Sequence, residues 1–125
     1  MLSGSADDVT PEIEHQIPIY DALDVSCKYL ISLDGAGHCN FANANGTCEL
    51  GELFSLGNVT MTREEHHQIV NALILPWLDY FLKDDLNAWG SFISAYQNES
   101  KTSATSSCAL AVSNLDAVEL KIFPN

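Results

Sequence analysis

Basic residues are scarce in this chain. Five Lys and Arg stand against 17 Asp and Glu, which gives a formal net charge of −12 over 125 residues. Nucleic acids and anionic membranes attract proteins through Lys and Arg, so the charge balance argues against both as partners. We interpret the acidic excess as a solvated surface, which is its ordinary role.

An apolar run long enough to cross a membrane is also lacking. The longest candidate, IVNALILPWLDYFL, contains Asn71, Pro76 and Asp79. It therefore predicts a buried helix rather than a membrane span. With 46% hydrophobic residues, the chain is long enough for one domain with a modest core and too short for two.

CxxC pairs are absent, and so is a recognisable signal peptide. Four cysteines outside such pairs indicate an oxidising compartment and two disulfides. Met1, however, is followed at once by LSGSADD, without a basic or an apolar region, so no secretion leader is expected. The two expectations conflict.

The four cysteines allow three pairings, and the sequence does not choose among them. We favour a bridge between Cys39 and Cys48, because it would close a short loop directly after His38, and this leaves Cys27 with Cys108. In the alternative, Cys39 pairs with a cysteine upstream of this chain and Cys48 is free.

The hydrophobic pattern predicts a strand, a helix and a second strand in the first third of the chain. Residues 1–4 form the end of a strand. PEIEHQIPIYDALD forms a helix with Pro11 at its first position and Thr10 as the candidate cap, and Pro18 kinks or shortens this helix. Residues 28–33 form the second strand. Such a unit demands a parallel strand pair, whose two faces both need covering.

The remaining segments are assigned from their caps and composition. Thr62 with Glu65 forms a capping box that opens a helix running to about Lys83. The other predicted segments are a loop over 34–60, a short helix over 86–96, a Ser/Thr-rich linker over 98–109 and a separate β segment over 110–125.

One helical segment carries a possible pair of metal ligands. In REEHHQ, Glu64 and His67 are three residues apart and share a helix face. Because no second motif of this kind is present, we expect no metal site and no cofactor. The segment is better interpreted as a solvated first turn whose acids, Glu64 and Glu65, complement the helix dipole.

Titratable residues follow each of the two predicted strands. Asp7 and Asp8 come after the first, and His38 follows the second behind two glycines. The carboxyl ends of neighbouring parallel strands lie at one edge of a sheet, so these groups can meet there. An Asp would then fix the tautomer of His38, which would shuttle the proton of a serine. Turn formation and capping are the alternative roles for these residues.

Three segments resemble the C-terminal third of the cutinase-like polyester hydrolases, which include PET hydrolases. They are DDVTPEIEHQIPIYDAL, KYLISLDGAGH and PWLDYFLKDD, and the match covers roughly residues 2–93. The resemblance implies an α/β fold, with this chain as a C-terminal fragment of an α/β-hydrolase. The fragment would hold the last two parallel strands with their flanking helices, and the fold would be incomplete without upstream strands.

The resemblance also implies roles for particular residues. Asp7 corresponds to the triad acid, Asp8 to a variable position, His38 to the base and Val9 to an apolar residue lining the substrate cleft. The family's cysteine just after the late helix has no counterpart in NAWGSFISAY, so the disulfide pattern differs. The nucleophile is missing too, since no G-x-S-x-G motif is present.

The tail resembles a different kind of module. LDAVELKIFPN is similar to the opening of the C-terminal sorting domain of the type IX secretion route of some Gram-negative bacteria. This implies an organisation into a hydrolase part over 1–97, the linker over 98–109 and the start of a sorting domain over 110–125. A chain truncated at both ends would reconcile the disulfides with the missing leader.

The sequence thus predicts the C-terminal part of a secreted serine ester hydrolase that acts on polyesters or related acyl esters. A dienelactone-hydrolase-like or acyl-glycerol esterase would share the same acid and base. From a different class, the chain would be a binding module or a non-catalytic remnant. Its oligomeric state stays open.

Overall fold

A computed structural model describes residues 1–54 and 56–108. They form a small mixed sheet of three strands together with four α-helices and one 3-10 turn. In chain order these are β1 (Leu2–Gly4), α1 (Gln16–Ala22), β2 (Cys27–Leu33), the 3-10 turn (His38–Phe41), α2 (Gly46–Glu52), α3 (Arg63–Lys83), α4 (Leu86–Asn98) and β3 (Thr102–Cys108).

The sheet has the strand order β1-β2-β3. β1 runs parallel to β2, with Leu2 opposite Ile31 and Gly4 opposite Leu33. A parallel pair requires a crossover connection, and α1 lies in that connection. The strand–helix–strand prediction is therefore confirmed, and the carboxyl ends of β1 and β2 lie at the same edge of the sheet.

The Ser/Thr-rich segment differs from the expected linker, because Thr102–Cys108 form β3 and pair antiparallel with β2. The edge of β2 opposite β1 has backbone N–H and C=O groups that need hydrogen-bond partners. The backbone of a Ser/Thr-rich segment provides such partners as well as that of an apolar segment does. Its side chains from Ser103 to Ser107 are exposed. The Ser/Thr-rich composition of this segment therefore indicates that its side chains are exposed to solvent. It does not indicate whether the backbone is a strand or a linker. The predicted β segment over 110–125 lies outside the described residues.

The first helix is shorter than expected. Residues 11–15 form turns in which Glu14 N and His15 N both donate to Pro11 O at 3.0 Å, and α1 begins only at Gln16. Pro18 is then the third helical residue, where the missing N–H leaves no intrahelical hydrogen bond unmade. The proline thus fixes the start of the helix near itself.

The predicted loop over 34–60 contains ordered structure of its own. The 3-10 turn begins at His38, and α2 follows with Asn45 as its N-cap, whose Oδ1 accepts from Thr47 N at 3.0 Å. The start of α3 agrees with the predicted cap, since Thr62 Oγ1 accepts from Glu65 N at 3.2 Å. In the described part of the chain, no helix is both long and apolar enough to cross a bilayer.

The core lies between β2, α3 and α4, and its centre is an aromatic cluster around Tyr29. The centroids of four aromatic rings lie 5.1 to 6.1 Å from the centroid of the Tyr29 ring. These rings belong to Trp77, Trp89, Phe92 and Tyr96. Three of the four contacts are edge-to-face, an arrangement that aromatic rings favour. The two long helices are thereby fixed against one face of the sheet.

Two disulfides join distant and local parts of the described chain. Cys27 bonds Cys108 across β2 and β3, and Cys39 bonds Cys48 between the 3-10 turn and α2. The Cα atoms of the second pair are 5.8 Å apart, which suits an ordinary bridge. These are the pairings favoured from the sequence, and two disulfides are compatible with an extracellular protein.

Removal of the bridges is expected to cost stability according to the loop that each one closes. The chain-entropy model predicts a loss in the free energy of unfolding of about 4.5 kcal/mol for Cys27→Ala/Cys108→Ala, which opens a span of 81 residues. For Cys39→Ala/Cys48→Ala, which opens a span of 9, it predicts about 2 to 3 kcal/mol. Urea titration followed by circular dichroism measures both. A larger loss for the local bridge would contradict the chain-entropy account.

Candidate functional site

The loops after β1 and β2 are joined to each other by hydrogen bonds. Ala6 N donates to Ala36 O at 3.0 Å, and Ser5 Oγ accepts from Gly35 N at 2.8 Å. A Cβ on Gly4 would overlap the Ala36 carbonyl oxygen, so only glycine permits this approach at the end of β1. Close contact of the two loops brings Asp7 and His38 together.

The structure places Asp7 beside His38. Asp7 Oδ2 lies 3.1 Å from His38 Nδ1, within hydrogen-bond distance. Asp7 is buried, with 7% of its surface exposed, whereas 40% of the His38 side chain is exposed. Among the residues that the structure describes, no hydrogen bond reaches His38 Nε2, and His38 lines a cleft.

The Asp7 carboxylate accepts several other hydrogen bonds. Its Oδ1 accepts from Val9 N at 3.0 Å and Thr10 N at 2.8 Å, and its Oδ2 accepts from Thr10 Oγ1 at 2.7 Å. Burial acts to raise the pKa of Asp7, but the hydrogen bonds from Thr10 and the contact with His38 outweigh it and lower that pKa. Asp7 is therefore an anion that can hold a proton on His38 Nδ1.

Asp8 and Val9 do not join this pair. Asp8 is exposed and lines a separate polar cleft with Asp34 and Asn58. Val9 is 55% exposed and is not among the residues lining the cleft beside His38; only its backbone N–H contacts Asp7. Of the two aspartates, the structure thus brings only the first to the imidazole.

A cleft of about 240 Å³ opens beside the pair, lined by Ser3, Asp7, Thr10, His38 and Phe41 among others. Ser3 is buried, and its hydroxyl donates to the Glu12 carboxylate. Among the described residues no serine hydroxyl is hydrogen-bonded to His38. The cleft therefore contains an acid and a base without an activated nucleophile.

Thr10 has a different role in this site from the helix cap predicted from the sequence. We expected it to cap a helix beginning at Pro11, but the N-cap of α1 is His15, and Thr10 instead donates twice to Asp7. The Asp-x-x-Thr spacing is a signal for this turn, since an aspartate commonly accepts from residues two and three positions later.

His66 departs from the solvated turn predicted for REEHHQ. Glu64 is exposed, and Glu65 lies 2.6 Å from Lys101 Nζ, but His66 is only 1% exposed. Its Nδ1 and Nε2 have no hydrogen-bond partner among the described residues. Burial, with a smaller effect of His67, lowers the pKa of His66 to about 4. Nor do residues 1–54 and 56–108 contain a cluster of three or more potential metal ligands.

Comparison of the chain with protein-family models, curated proteins and solved structures finds no match.

Exchange of Asp7 for Asn is expected to change the tautomer of His38. In the native chain the carboxylate favours a proton on Nδ1, and an amide lacks the charge that fixes this preference. Two-dimensional 15N NMR of the imidazole at pH 8 distinguishes the two tautomers. Asp8→Asn is the matched control, and an equal change in both variants would contradict the assignment of Asp7.

Acid is expected to destabilise the fold through His66. The unfolded residue takes up a proton below about pH 6.5, while the folded residue stays neutral down to about pH 4. The free energy of unfolding should therefore fall by about 3 kcal/mol between pH 7 and pH 4 from this group alone. His66→Leu should reduce the measured dependence by about this amount, and the exposed His15→Ala should not. Identical pH profiles for the three proteins would contradict this account.

Proposed function

We propose that this chain is the C-terminal, acid-and-base part of a serine ester hydrolase of the α/β-hydrolase fold. The observation that carries the proposal is the 3.1 Å contact between Asp7 Oδ2 and His38 Nδ1 after two adjacent parallel strands. The residues of the cutinase-like resemblance agree with it, since Asp7 and His38 are the two positions to which the family's acid and base correspond.

Each residue has a defined part in this chemistry. Asp7 holds a proton on His38 Nδ1, which leaves Nε2 to accept the proton of a serine hydroxyl as that oxygen attacks the ester carbonyl. Asp7 then stabilises the imidazolium, which returns the proton to the leaving alkoxide. The serine and the donors that stabilise the oxyanion come from protein outside this chain.

Substrate and location are further parts of the proposal. Polyesters or related acyl esters are the substrate class that the resemblance favours. The cleft-lining role that the resemblance implies for Val9 is not part of the proposal, because Val9 does not line the cleft beside His38. The tail motif favours export through the type IX secretion machinery to the surface or exterior of a Gram-negative bacterium. Two disulfides support an oxidising destination.

A non-catalytic role is the second candidate. It is favoured by one observation, that no serine among the described residues is hydrogen-bonded to His38. The sequence encoded directly upstream distinguishes the two candidates. A G-x-S-x-G motif in frame, about 45 to 60 residues before Met1, supports the hydrolase, and its absence supports the binding module or remnant.

The purified 125-residue chain is expected to show no esterase activity that depends on His38. An acid and a base without a nucleophile and an oxyanion hole accelerate ester cleavage little. Hydrolysis of a p-nitrophenyl ester by the chain and by its His38→Ala variant checks this. Turnover in the chain that disappears in His38→Ala would contradict the missing nucleophile.

In a protein that contains both parts, Asp7→Asn is expected to lower kcat by on the order of 10⁴, as the same exchange does in a serine protease triad. The reason is the loss of the group that orients His38. Asp8→Asn serves as the control and should retain most of the activity, because the Asp8 side chain lies in a different cleft. Similar losses in both variants would count against the proposal.

A further inference from the structure

A second, larger cavity lies between α3 and the face of the sheet. Its volume is about 520 Å³, within the range of sites that bind small organic molecules. Most of its wall is apolar and aromatic, with contributions from Tyr29, Ile31, Val70, Leu73, Trp77 and Phe92. An apolar compound of the size of a substituted benzene would fit such a cavity.

His66 supplies an unpaired polar group in this wall. It is 1% exposed, and both ring nitrogens lack a hydrogen-bond partner among the described residues. Buried polar atoms are nearly always paired, and an unpaired one costs free energy. The ring of Phe41 packs edge-on against the imidazole, with 4.3 Å between centroids. An occupant of the cavity that hydrogen-bonds His66 would remove this cost.

The chemistry of the wall selects a neutral occupant. The lowered pKa keeps His66 uncharged at neutral pH, so it presents one N–H donor and one acceptor. Met1 also lines the cavity, and its backbone nitrogen donates to Tyr29 O at 2.7 Å. A net charge of −12 disfavours both anionic ligands and a second copy of this chain. A carbonyl on an apolar body satisfies these conditions.

The cavity adjoins the cleft of the acid–base pair. Leu2 and Phe41 line both spaces. We propose that the cavity around His66 binds one apolar ester unit, whose carbonyl accepts a hydrogen bond from the imidazole, while a neighbouring unit of the same molecule lies beside His38. The assignment of the occupant as an ester rests on the proposed function, whereas binding at His66 is measured without any reaction.

The test is an NMR titration of the full chain at pH 7.5 with methyl benzoate and, as the charged match, benzoate. Methyl benzoate should shift the His66 ring and the Trp77 indole signals saturably, with benzoate binding at least about tenfold more weakly. Absence of a saturable shift, or equal affinity for the two probes, overturns the proposal. Shifts that follow protein concentration instead would identify the cavity as an interface between copies, which also overturns it.

Two variants separate the hydrogen bond from the cavity. His66→Leu keeps an apolar wall and should weaken methyl benzoate binding about tenfold, the effect of one buried hydrogen bond. Val70→Trp should abolish binding by filling the space while His66 remains. If His66→Leu does not fold, Val70→Trp still tests whether the probe binds in this cavity. The exposed His15→Ala is the control. This experiment measures binding and not turnover. A negative result would therefore not bear on the proposed roles of Asp7 and His38, which are tested by their own variants.

Discussion

The approach of the loop after β1 to the loop after β2 is the constraint on which the rest of the site depends. A hydrogen bond from Ala6 N to Ala36 O joins them, and the absence of a side chain on Gly4 leaves room for it. Without this contact, two strand ends would merely share an edge of the sheet. With it, a carboxylate and an imidazole that are 31 residues apart lie within 3.1 Å.

The surroundings of Asp7 show why the pair is stable. A buried carboxylate without partners would become protonated, but here Thr10 provides two donors from within the same turn. The turn that fixes the charge also fixes the direction of the side chain toward His38. The hydrogen bonds from Thr10 that stabilise the buried carboxylate are therefore the same ones that orient it toward His38.

Local signals predicted those parts of the fold whose partners are near in sequence. The cap at Thr62 and the strand over 28–33 were both readable, because caps and side-chain alternation depend on adjacent residues. The strand Thr102–Cys108 was not, because its partner is far away and its side chains face solvent. Burial of His66 was missed for the related reason that the other five residues of REEHHQ are all charged or polar, and a histidine in such a run is normally exposed. The approach of Asp7 to His38 was predicted because parallel neighbouring strands end at one edge of the sheet. The contact between Ala6 and Ala36 that closes the remaining distance was not predicted.

The distance along the chain between β2 and β3 also bears on how the protein folds. β2 begins with Cys27, and its antiparallel partner strand ends with Cys108, a separation of 81 residues. During synthesis one edge of β2 remains unpaired until nearly all of the described chain has been made, although that strand contributes Tyr29, Ile31 and Leu33 to the core. Pairings of such high contact order form slowly, and an open apolar strand is prone to pair with the wrong partner meanwhile. Oxidation of Cys27 with Cys108 makes the late pairing permanent, so the redox state of the compartment governs the yield of folded protein as well as its final stability.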